Sequence, residues 1–171
     1  MFVPFNELDD ASRAWIFQAD RELSEDQVAA VQSELIQFLQ EWTAHNEKLH
    51  AFGEVLHRRF IAIFVDERFA GTSGCSIDKS VHFMQYLEKK YGISWLERTQ
   101  VAYLSELPAT MEDVYRSLRI VPFDQLGFLH SEGTIHDNTL VFDNLINSKK
   151  AFLSSWLKPI SSSWHHRFVR S

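Results

Sequence analysis

Val28, Val31, Leu35, Phe38, Leu39 and Trp42 recur at steps of three and four. That spacing lines one face of a helix and predicts an amphipathic helix over about residues 25–44, with Ser24 and Gln27 as its capping box. The runs 13–19 (RAWIFQA), 50–56, 60–66 (FIAIFVD) and 98–104 (RTQVAYL) are aromatic or β-branched and read as strands, the middle two joined through His57, Arg58 and Arg59 as a hairpin. A second helix follows Ser76, with Ile77, Val81, Met84 and Leu87 as its apolar stripe and Gly92 as a left-handed cap. Strand, helix, strand, strand, helix, strand is the order of the ferredoxin-like βαββαβ plan. The expectation is therefore a single α+β domain: a ferredoxin-like core over 1–105 and a C-terminal, mainly helical extension over 106–171 packed on it. Helices are expected near 111–118, 122–131 and 147–157, with an edge strand at 139–142.

Composition supports one well-filled core, since 171 residues include fourteen Phe and five Trp. A single cysteine forms no internal disulfide, the first ten residues lack a signal-peptide pattern, and no run approaches the roughly 18 apolar residues of a membrane span. A cytoplasmic protein with no membrane partner is the expectation. The net charge of −6 sits in residues 1–100, which carry ten Lys and Arg against sixteen Asp and Glu; beyond Asp143 no acidic residue occurs, and Lys149, Lys150, Lys158, Arg167 and Arg170 are basic. The acidic balance argues against nucleic acid, and the basic aromatic tail is expected to dock on the acidic body.

The candidate chemistry concentrates after the 60–66 strand. Gly71, Thr72, Ser73 and Gly74 precede the sole cysteine, Cys75, and Ser76 follows it. Backbone amides of such a loop at a helix start can receive an anion or a carboxylate, aided by Lys79 or Arg167. Cys75, Asp78 and His82 share one helical face and hold the parts of a thiol, carboxylate and imidazole set. Both point outward from one helix, which opposes their meeting. Asp66 and Glu67 are weak candidates for Mg²⁺, and the remaining histidines lack metal-ligand spacing. Trp164-His165-His166-Arg167 can stack on and pair with an anionic ligand, or anchor the tail. No cofactor is indicated.

The stretches MFVPF, WIFQADREL, FLQEWTAH, FVDE with SGCSIDKSVHF, and SWHHRF together resemble a family of uncharacterised bacterial proteins often labelled "ABC transporter ATPase". The label implies nucleotide binding. A phosphate-binding G-x-x-x-x-G-K-[ST] loop needs its second glycine so that the backbone can wrap the phosphates. Gly74-Cys-Ser-Ile-Asp-Lys79-Ser80 lacks it and sets Asp78 where phosphate would be repelled. The residues favour small-ligand binding at Gly71–Ser76. Two other readings stand beside it: a Cys75-dependent hydrolase or redox enzyme, and an interaction module whose aromatic surplus supports a homo-oligomer.

Overall fold

Successive side chains along a strand face opposite sides, and that alternation sorts the molecule into layers. In the computed structural model, which describes residues 1–170, the elements are β1 (Arg13–Gln18), α1 (Glu25–Glu41), β2 (Thr43–Ala44), β3 (Glu47–Lys48), β4 (His50–Leu56), β5 (Phe60–Asp66), α2 (Gly74–Tyr91) and β6 (Gln100–Leu104). There follow α3 (Val114–Ser117), β7 (Leu118–Pro122), α4 (Leu126–Ser131), β8 (Leu140–Phe142), α5 (Lys149–Ser155) and β9 (Leu157–Pro159), with short 3-10 turns between them. The fold is α+β. One antiparallel sheet runs β1-β5-β4, a second runs β7-β6-β8-β9, and β2 and β3 form a separate small hairpin.

Phe17, Ile61, Ile63 and Val65 face Val31, Leu35 and Leu39 of α1 and Met84 and Leu87 of α2. The alternate residues Ile16, Phe60, Ala62 and Phe64 face Ala102, Leu104 and Phe142 of the second sheet. Val101, Tyr103 and Val141 turn away from that seam and pack on Leu126, Ile135 and Ile160. The order is helices, sheet, sheet, helical turns. β5 lies at the centre of its sheet and is buried along its whole length, which its uninterrupted apolar run requires. Gly53 admits α1 against β4, because a Cβ there would stand 2.7 Å from Leu39 Cδ1.

The ferredoxin-like plan is met only over its first three strands and two helices. That plan sets residues 98–104 beside 13–19 in one sheet. Instead the β1 edge at Arg13 bridges Ser148, the Ala14 N–H donates to Asn147, and β6 pairs with β7 and β8. The extension carries helical turns at each of the three expected places (111–117, 123–131 and 149–155) and the edge strand β8, and adds β7, whose β-branched run falls between the first two helices, and β9, just after α5. Ser24 and Gln27 form the expected capping box, Gly92 is left-handed (φ 65°), and α1 stops at Glu41. The cap of α2 is Ser73, with Ser76 as its third residue, so the helix starts earlier than expected. Its buried stripe is Ser76, Ser80, Met84 and Leu87, with Ile77 and Val81 only half-buried. Small serines let the helix approach the end of α1, where the Trp42 indole donates to the Ser76 carbonyl (2.8 Å).

The β4–β5 turn holds His57 and Arg58 at positive φ (52° and 53°) without glycine. His57 stacks on Trp156, and Arg58 lies 4.1 Å over Tyr115 while pairing with Glu25. The basic tail is anchored on the body: Lys149 donates to the Leu8 carbonyl, and Lys158 pairs with Asp143 (2.8 Å).

Candidate functional site

The Gly71–Ser76 loop is closed by its own hydrogen bonds. Glu67 accepts from the Thr72 N–H and hydroxyl, the Ser73 N–H donates to Ser76 Oγ, and the Ser76 N–H donates to Ser73 Oγ. Arg13 adds a bond to Thr72 Oγ1. Lys79 reaches Thr43 instead of the loop (3.1 Å), and Arg167 lies over Trp164 and Phe168 in the C-terminal turn. Gly71 and Gly74 have open space around them. Three of the six amides that the sequence offered to an anion, those of Thr72, Ser73 and Ser76, are thus taken by Glu67 and by serines of the loop itself.

Cys75, Asp78 and His82 are all exposed, and among the described residues no hydrogen bond joins any two of them. A nucleophile and base need contact near 3 Å, so the set is not assembled. Asp66 is buried and bound by the Arg68 guanidinium and by the Asp9 and Arg68 N–H groups. The Arg68 side chain holds the Asp66 carboxyl well below its ordinary value, at about 2. With Glu67 engaged by Thr72, this pair is a structural clamp. Among the described residues no group of three or more His, Cys, Asp or Glu is arranged to hold a metal ion.

A different site opens at the seam between the sheets. A cavity of about 70 Å³ is walled by Ile16, Phe17, Phe123, Phe142 and Leu145, with Gln18, Trp95, Gln100, Asn144, Trp164 and His165, and Glu97 and Arg98 also border it. The polar groups follow from one fixed donor. The Trp156 indole can only donate, and it donates to Asn144 Oδ1 (3.0 Å). Asn144 Nδ2 therefore faces Gln18 and donates to its Oε1 (2.9 Å). Gln18, only 7% exposed, is left with an NH₂ group that has no partner among the described residues.

His165 is 2% exposed and stacks on Trp164. Burial, helped by Lys158 and Arg167 and opposed by Asp143, pulls its pKa down to about 4, so the ring is neutral at pH 7. Ser163 Oγ lies 2.6 Å from Nδ1 and accepts weakly from the His165 N–H. Its hydroxyl proton has Nδ1 as its acceptor, which puts the ring proton on Nε2. Nε2–H has no partner among the described residues. Trp95 carries a buried indole N–H that is likewise unpaired. Arg98 is exposed and free of any ion pair, whereas Glu97 is occupied by Thr99. Donors without partners thus stand on these walls, beside the Gln100 side-chain amide, which is also unpaired among the described residues.

Of these residues, sequence reading had marked only the Trp164-His165 pair. Gln18, the neighbouring Trp95 and Arg98, and Asn144 come from three separated segments and share no local motif. No family model, no curated protein and no solved structure matches the chain. No helix among the described residues is long and apolar enough to cross a membrane.

Proposed function

We propose that the protein binds a small molecule through a carboxylate or carbonyl group, and that this group enters the cavity between the sheets. The carrying observation is the donor set there: the Gln18 NH₂ and His165 Nε2–H have no partners among the described residues, and Trp95 and Arg98 border the same space. A donor buried without a partner, as at Trp95, costs about 1–3 kcal/mol, and a carboxylate offers roughly four acceptor sites to the Gln18 and His165 donors. The volume equals the liquid share of about two waters, at roughly 30 Å³ each. It suits a carboxylate group bearing one or two further carbons, as in acetate or propanoate. At a ceiling of about 1.5 kcal/mol per heavy atom, four such atoms bind no tighter than tens of micromolar.

The test is titration calorimetry with acetate, propanoate, inorganic phosphate and ATP, the last addressing the nucleotide label. Propanoate is expected to bind, Gln18→Leu and Arg98→Met to weaken it about tenfold or more, and Cys75→Trp to leave it unchanged. Carboxylates that fail to bind at tens of millimolar would end this reading. Binding lost in Cys75→Trp but kept in Gln18→Leu would return the site to the Gly71–Ser76 loop.

A further inference from the structure

Beside the cavity lies an open, polar groove of about 590 Å³, and Gln100 borders both hollows. Its charges are unevenly satisfied. Arg116 pairs with Asp113 (3.1 Å), and Asp20 is engaged by Arg21 and by the Ser94 N–H. Arg119 uses Nη1 on the carbonyls of Arg116 and Leu118 and meets no carboxylate. Arg59 is half-buried, and among the described residues its guanidinium makes no hydrogen bond or ion pair. Burial lowers the Arg59 pKa and the Arg119 charge lowers it further, against the attraction of Glu22 and Asp20. Arg59 and Arg119 line this groove together and neither forms an ion pair among the described residues, although the Glu22 and Asp20 carboxylates border it and attract Arg59; two guanidiniums without a paired anion are what a bidentate oxyanion relieves.

Resting on the carboxylate reading above, we infer that the ligand is bipartite: its carboxylate or carbonyl end sits in the cavity, and a second oxyanion, carboxylate or phosphate, is held by Arg59 and Arg119 in the groove. Size supports the division. The cavity alone holds too few atoms for tight binding, and the groove alone is open to water, where an exposed ion pair contributes only about 0–1 kcal/mol. One molecule spanning both makes the second contact intramolecular and gains from each. The groove lies within the roughly 300–1,000 Å³ of ordinary ligand pockets. The class is a short dicarboxylate or a phosphorylated hydroxy acid.

The experiment compares propanoate with succinate, glutarate, adipate and 3-phosphoglycerate by calorimetry on the full chain. At least one of the four is expected to bind tenfold or more tighter than propanoate. Arg59→Met should reduce that probe to within about twofold of propanoate while leaving propanoate itself unchanged, and Arg59→Lys should retain part of the gain. Thermal unfolding of each variant confirms that it is folded. If propanoate binds and none of the four improves on it, or if the gain survives both Arg59→Met and Arg119→Met, the bipartite ligand is wrong and the cavity reading stands. Probes held in the groove but indifferent to Gln18→Leu would overturn both, as would the absence of binding by all five.

Discussion

The Gly71–Ser76 loop and the seam cavity are opposites in how they treat polar groups. The loop has every local sign of a site, with glycines, hydroxyls, a thiol and a helix start, and half of its amides are already held by Glu67 and its own serines. The cavity has no local sign beyond the Trp164-His165 pair and is walled by aromatic side chains, yet it keeps donors unpaired on residues more than nine-tenths buried. A composition suited to binding is equally suited to closing a turn. Binding capacity resides where partners are missing after folding, not where polar residues cluster along the chain.

The strongest way to break this contrast is to remove a wall of the cavity. Phe142 is buried between the sheets and touches Phe60 and Trp156. Phe142→Ala is expected to cost about 3–5 kcal/mol in denaturant unfolding. A loss below about 1 kcal/mol would mean that the seam is not packed as described.

Acid separates the two regions by window. His165 has its pKa lowered in the fold, so the unfolded chain takes up the proton more readily. Stability is full above roughly pH 6.5 and falls by about 2–3 kcal/mol as the pH drops toward 4, with His57 adding in the same direction. His165→Gln should flatten most of that slope in urea unfolding at stepped pH. An unchanged slope would place His165 in contact with solvent.

Asp66 contributes in a lower window. Its lowered pKa stabilises the fold above roughly pH 4, and that contribution is lost as the pH falls toward 2. Solvent screening on the exposed Arg68 side holds it to about 1–2 kcal/mol. Asp66→Asn should remove the lower slope and leave the upper one, so a variant that alters both would couple loop and seam. The smallest effect is expected at Cys75, where Cys75→Ser should change stability by less than about 0.5 kcal/mol. Native Cys75, being exposed, should react with a thiol reagent without unfolding. Labelling that waits for denaturant would contradict its position.

Much of the fold was legible because its signals are local. The Ser24 capping box, the α1 stripe, the β4–β5 hairpin and the Gly92 cap each lie within a few residues or one helical period. The second sheet was not, since the partners of β6 are decided across the chain: β7 is five residues between helical turns, and Tyr103 meets Val141 only once β8 arrives. The Arg13–Ser148 bridge that occupies the β1 edge spans almost the whole sequence. The site suffers the same limit. That Gln18 keeps a free NH₂ follows from Asn144, whose orientation follows from Trp156, and no window of sequence contains all three.

His57 and Arg58 hold a left-handed backbone that costs roughly 1 kcal/mol or more each. What offsets it is remote, in the Trp156 stack and the Tyr115 contact of the second half of the chain. The hairpin of the first sheet is therefore at its weakest alone and is relieved only when the second sheet docks. Such mutual dependence makes the two sheets a single cooperative unit. On heating, tryptophan fluorescence and far-ultraviolet dichroism should trace one superimposable transition, with neither sheet melting ahead of the other.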